Sequence, residues 1–199
     1  RWLYEKERSS NIAEDGTKDW TTHQFIQKIV GHCSYNRTPG SEVSDGALRL
    51  LRVEDETLDN QNQGATWNFP AGDTGQLTTK VRLEEGGAGL QIALCDRWFS
   101  ASDGTVDKFA NYVLKVDGEG KYKGKSLLTP GKVHELTLTW ENVGKKGAAT
   151  LKVDGKRTGI KLNCKNATPN GVSYVHFYNP AKKTDSNGVS ILETHARVK

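Results

Sequence analysis

The chain has 199 residues, 35% hydrophobic and 26% charged, with five tryptophans, no methionine and a formal net charge of +4. That length can bury one large core, and the polarity suits thin sheets that each expose one face to water. Its 28 basic residues are scattered among 24 acidic ones in runs no longer than two, which excludes the clustered stripe of a nucleic-acid binder, and no apolar run reaches the roughly 18 residues of a membrane helix. No nucleic-acid partner and no membrane insertion are expected.

Residues 1–19, "RWLYEKERSSNIAEDGTKD", are charged and turn-rich and read as an N-terminal edge strand or a linker from a preceding domain. The opening lacks the apolar segment of a signal peptide, and without a first methionine the chain reads as a processed form or a piece of something longer. Residues 20–199 read as a single domain. "TTHQFIQKIVGHCSYN" (21–36) has enough Thr and β-branched residues to favour strand over helix. Ten strand-like segments follow, separated by turn-formers: 46–53, 64–71, 76–85, 89–99, 111–118, 132–142, 149–156, 159–164, 171–179 and 189–198. Alternation is clearest in "HELTLTW", where Leu136, Leu138 and Trp140 share one face and Glu135, Thr137 and Thr139 the other. Asp117-Gly118 and Asp154-Gly155 supply residues tolerant of positive φ for tight hairpins. The pattern predicts an all-β, two-sheet antiparallel sandwich.

Cys33, Cys95 and Cys164 show no Cys-x-x-Cys spacing, and His-Glu-x-x-His is absent, so no zinc site is expected and at most one disulfide. Cys95, closing the apolar run "LQIALC", reads as a small buried hydrophobe. Trp67 and Trp140 read as core.

The segment "HELTLTWENVGKKGAATLKVDGKR" (134–157), a strand with His and a terminal Trp, a polar turn and a second strand ending in Asp-Gly, resembles the laminin-G-type hairpin of the concanavalin A-like lectin/glucanase superfamily, whose members are jelly rolls. "GLQIALCD", "NYVLKVDG" and the closing "GVSYVHFYNPAKKTDSNGVSILETHARV" resemble lectin-like accessory domains of bacterial sialidases and other secreted glycosidases. The resemblance implies a sugar ligand, a noncatalytic carbohydrate-binding or accessory role beside other domains of one polypeptide, and a secreted, periplasmic or cell-surface location. Two other readings stay open: a glycoside hydrolase or polysaccharide lyase on the same scaffold, and a laminin-G-like protein-binding adhesion domain.

Three places carry the right chemistry. Glycosidases of the superfamily need paired carboxylates on one strand face. Glu54 and Glu56 in "VEDETLD" come nearest but depart from the Glu-x-Asp-x-x-Glu spacing, and Glu84-Glu85 point to opposite faces, so no catalytic pair is assigned. In "SYVHFYN", Tyr174, His176 and Tyr178 share a face; in "ILETHARV", Glu193, His195 and Arg197 do the same. If these faces adjoin, they gather two His, two Tyr, an Arg and a Glu; on a plain wet sheet, Glu193 pairs with Arg197 instead. The third place is "CDRWFSASDGTVDKFANY", where Asp96, Arg97, Trp98 and Asn111 combine a stacking ring with polar groups suited to sugar hydroxyls. Asp185, Asn187 and Glu193 offer oxygens for a structural calcium ion.

Overall fold

The computed structural model describes residues 5–22, 24–26, 34–36, 41–52, 63–96 and 108–199. In chain order the elements are β1 (Glu7–Asn11), α1 (Ile12–Asp15), β2 (Trp20–Thr22), β3 (Gln24–Ile26), β4 (Ser34–Asn36), β5 (Ser41–Ser44), β6 (Ala47–Arg52), β7 (Gln63–Gly72), β8 (Gly75–Leu83), β9 (Gly89–Cys95) and β10 (Tyr112–Asp117). The short strands β11 (Lys121–Tyr122) and β12 (Lys125–Ser126) follow, then β13 (Val133–Trp140), β14 (Ala148–Val153), β15 (Lys156–Asn163), β16 (Val172–Asn179) and β17 (Asp185–Val198). The ten strands expected from pattern are all present, and α1 is the one α-helix among the described residues.

Two antiparallel sheets hold most of these strands. The larger runs β15-β14-β13-β8-β17-β6-β5, with β1 also paired to β17; the smaller runs β10-β9-β16-β7-β2. Their facing side chains meet in one core. Leu77, Val81, Leu136, Leu138, Trp140 and Ile191 come from the larger sheet, and Trp67, Phe69, Ile92, Leu94, Val175 and Phe177 from the smaller. The Phe69 and Trp140 rings lie 6.0 Å apart across the interlayer. Burial of this kind removes apolar surface from water at about 25 cal/mol per Å² and is the main force closing the sandwich.

The 134–157 hairpin shows why its residue types are needed. Trp140 is wholly buried, and its Nε1 donates to the Gly72 carbonyl at 3.0 Å. A Cβ at Gly75 would sit 2.5 Å from Trp140 Cζ2, so only glycine lets the β8 backbone pass that ring. Asp154 (φ +50°) and Gly155 (φ +74°) form the two-residue turn between β14 and β15. The Asp154 carboxylate reaches back to His134 Nδ1 (2.7 Å) and the Glu135 N–H (2.9 Å), locking the turn to β13. After β10 the geometry differs from expectation. The Gly120 N–H bonds to the Asp117 carbonyl at 2.9 Å, and the positive φ falls on Gly120 rather than on Asp117 or Gly118.

Candidate functional site

Val175 and Phe177 of β16 point into the core, so the period of two sends Tyr174, His176 and Tyr178 to the opposite, outward face of the smaller sheet. The register builds rows across that face. Tyr178 lies beside Gln91 of β9, and Gln91 beside Lys115 of β10. His176 lies between Ala93 and Thr66, and Tyr174 between Cys95 and Asn68. Side chains opposite each other in such rows sit about 4.5–5.5 Å apart at Cβ.

This face is not an open wet surface. His176 and Cys95 have no exposed area, and Gln91 is only 5% exposed. Tyr174 packs with Ala93, Cys95 and Ala110 in a small second apolar cluster, and burial, helped by Cys95 and Asp96, holds its phenol protonated far above the usual range. The strand "GLQIALC" is buried at every position, the signature of a strand covered on both faces. What solvent reaches is half-buried Tyr178 and exposed Lys115, which flank the buried Gln91 in one row, with the His176 ring 5.9 Å from that of Tyr178.

The strand β17 belongs to the other sheet, so the condition for one joint site fails: the two polar faces do not adjoin. Glu193, His195 and Arg197 face outward on the larger sheet, with the whole sandwich between them and Tyr174, His176 and Tyr178. Consecutive strands in the chain need not be neighbours when the connection crosses between layers. Glu193 does not pair with Arg197 either: it bonds Lys80 at 2.8 Å, while Arg197 bonds Glu7 at 3.2 Å. These exposed pairs are worth little. His195 is half-buried between Ser9 of β1 and Thr78 of β8.

Asn111 is wholly buried and braces the chain rather than meeting solvent. Its Nδ2 donates to the Asn166 backbone carbonyl at 2.7 Å, and its own backbone carbonyl accepts the Lys165 N–H at 2.8 Å. Asn166 in turn donates through Nδ2 to the carbonyls of Lys108 (2.8 Å) and Ala110 (2.9 Å). Asp96, just after β9, is half-buried and lines a cavity of about 260 Å³ with Phe109, Lys146 and Lys165. Arg97 and Trp98 lie outside the described residues, as do Cys33, Glu54 and Glu56. Glu84 is tied to Arg82 Nε (2.9 Å) and Ser190 Oγ (2.5 Å).

The three calcium candidates are not gathered at one point. Asp185 opens β17 opposite Arg52 of β6, whereas Glu193 lies beyond two bulges of the same strand, opposite Lys80 of β8. The Asp185 carboxylate is already saturated. Oδ1 accepts the N–H groups of Asn187 (3.0 Å) and Gly188 (2.8 Å), while Oδ2 accepts Ala88 N–H (2.9 Å) and Asn179 Nδ2 (3.0 Å). Burial works against its charge, but these donors outweigh it and hold the pKa below the usual carboxylate value. Cys164 is a half-buried thiol whose pKa burial raises, against the pull of Tyr112 and Lys146.

No family model and no curated protein matches the sequence. Solved structures do. A sialidase superposes with a TM-score of 0.60 at 11% identity, over 96% of this chain and 18% of that one. The alginate lyase Aly36B matches at 0.52 and 14% identity, over 98% and 97% of the two chains, and a winged bean acidic lectin complexed with methyl-α-D-galactose at 0.53 and 9%, over 96% and 98%. The fold is a concanavalin A-like jelly roll. At these identities the likeness is one of fold, and the chain spans less than a fifth of the sialidase it matches.

Within this jelly roll, Thr66, Gln91 and Lys115 complete the outward face and were not singled out from the sequence. Gln91 carried a signal, as the one polar residue inside an otherwise apolar strand. Lys115 carried none, because an outward lysine on an edge strand is ordinary.

Proposed function

We propose that this jelly roll is a carbohydrate-binding module whose ligand lies along the row Lys115, Gln91 and Tyr178. The observation that supports it is the register: β10, β9 and β16 set a cation, a primary amide and a half-buried phenol side by side. Sugars are recognised by this combination, the ring meeting the C–H face of a pyranose and the amide its hydroxyls. Solved neighbours bound to an alginate tetrasaccharide and to methyl-α-D-galactose agree with a sugar as the ligand class. A place in a secreted glycan-degrading polypeptide is part of the same proposal.

A second reading, a polysaccharide lyase, draws on one observation: the rings of His176 and Tyr178 lie 5.9 Å apart on one face, within reach of general acid–base work on a single sugar. The absence of exposed surface on His176 favours holding over turnover. A glycan array combined with an unsaturated-uronate absorbance assay separates the two. Binding without absorbance change is the expected result, turnover transfers the site to the lyase reading, and binding of no glycan overturns both. Tyr178→Ala should weaken binding roughly tenfold, the loss of a stacking ring, with an unchanged far-UV spectrum.

A further inference from the structure

The strands β10 and β15 are end strands of different sheets, and the β11–β12 hairpin sits beside them. That hairpin is fastened at both ends. Gly120 accepts the N–H groups of Leu127 (2.9 Å) and Leu128 (3.0 Å) at its carbonyl, and Lys125 Nζ donates to the Thr158 carbonyl of β15. A Cβ at Gly120 would lie 2.0 Å from the Leu128 carbonyl oxygen, so the close approach requires glycine. Between β10, β15 and the hairpin lies a cleft of about 680 Å³, inside the range of roughly 300–1,000 Å³ usual for ligand sites.

The lining is basic. Lys115 comes from β10, Lys121 and Lys123 from the hairpin region, Lys161 from β15 and Lys165 from just beyond it. One carboxylate, Asp117, lines the cleft with them, and its Oδ1 already accepts the N–H groups of Glu119 (3.1 Å) and Lys121 (2.8 Å). Lys121 pairs with Glu119. Among the described residues no ion pair holds Lys123, Lys161 or Lys165, and the Lys123 ammonium lies 5.3 Å from the Tyr122 ring centroid. The floor is apolar, from Leu90, Val116 and Leu162. Five lysines therefore converge on one cleft in a chain whose net charge is only +4. Such a concave field concentrates anions.

We propose that this cleft holds the anionic groups of a polyanionic polysaccharide, carboxylate or sulfate, whose chain continues onto the Tyr178 row. Lysines are compact, hydrated point charges on flexible stems, suited to anions spaced along a chain, and the lining has no arginine fork for bidentate phosphate recognition. Tyr122 and the apolar floor give the sugar ring a surface to rest on. Lys115 lines the cleft and also stands in the row with Gln91 and Tyr178, so the two form one path. The proposal rests on the glycan reading for the sugar and on the lysines for the charge.

Calorimetric titration with a polyuronate, a sulfated galactan, a neutral galactomannan and polyuridylate tests it, using the wild type and the double variant Lys161→Gln/Lys165→Gln, both exposed positions. At least one charged glycan should bind roughly tenfold tighter than the neutral polymer and weaken with salt, and the double variant should lose roughly tenfold on the charged polymer alone. Preference between polyuronate and sulfated galactan identifies the anionic group. Equal binding of neutral and charged polymers, or an unaffected double variant, overturns the proposal while leaving the glycan reading standing. Binding of no polymer overturns both, and tighter binding of polyuridylate assigns the cleft to nucleic acid and overturns it as well.

Discussion

Replacing Asp185 by alanine should cost more than any surface change in this chain. The residue is 7% exposed, and its carboxylate receives four donors, three from backbone N–H groups and one from Asn179. Asn179 is itself wholly buried, donates to the Leu50 carbonyl at 3.1 Å and accepts the Ala181 N–H at 2.9 Å, so the network joins β17 and β6 of one sheet to β16 of the other. A hydrogen bond to a charged group contributes about 1.5–3 kcal/mol, and a buried donor left unmade costs about 1–3 kcal/mol. Asn187 is exposed, so water can replace the carboxylate at its N–H, and the sum is discounted to about 3–5 kcal/mol for Asp185→Ala, a large part of a stability of roughly 5–15 kcal/mol. Urea unfolding of the two proteins at pH 7 measures it. A difference below about 0.5 kcal/mol, the usual range for surface changes, would refute the network as a stabilising hub. The pH dependence provides a second check. Because the folded pKa is lowered, the contribution is complete above the unfolded value near 3.8 and is lost as pH falls through the folded pKa; the alanine variant should lack that acid-limb slope. With every carboxylate lone pair taken, the difference between the two proteins should be the same in calcium and in chelator.

Other expectations follow from single contacts. Trp140→Ala should destabilise by about 3–5 kcal/mol in the same urea assay, through the cavity left between the sheets. Asp154→Ala should remove the brace on His134 and Glu135 and flatten the loss of stability below the ordinary carboxylate range, since its folded pKa is also lowered: burial opposes the charge, and the Glu135 N–H and His134 outweigh it. Cys164 should react with a thiol reagent at pH 8 more slowly than free cysteine, because burial raises its pKa, and reaction at the free-cysteine rate would contradict its placement.

Strand content was legible because the long strands alternate or run apolar, and both patterns depend only on local sequence. The short strands β5, β11 and β12 are not legible, being polar and brief, where neither pattern has room to develop, and β1 is legible only as one of two alternatives, an edge strand or a linker. Faces were legible too: the alternation in "SYVHFYN" put Tyr174, His176 and Tyr178 together correctly. Sheet membership was not. β16 and β17 follow one another in the chain yet lie in different layers, and no side-chain period records which distant strand supplies the hydrogen bonds. For the same reason burial of His176 escaped notice, since an outward residue is wet or dry according to what covers the sheet. The lysine cleft was hidden by composition, because its cations come from four separate stretches of an otherwise balanced chain.

The pairing of β1 with β17 has a mechanical side. Glu7 stands opposite Arg197, and the Val198 N–H bonds the Lys6 carbonyl at 2.8 Å. Five consecutive residues of β1, from Glu7 to Asn11, thus lie one strand spacing from Arg197 to Glu193 of β17, although more than 180 residues of chain separate them. A force that draws β1 away from β17 sideways opens the hydrogen bonds of this ladder one after another, whereas a force along the strands loads them all at once. Both strands belong to the larger sheet, so the layer that carries Tyr178 and Lys115 bears none of that load directly.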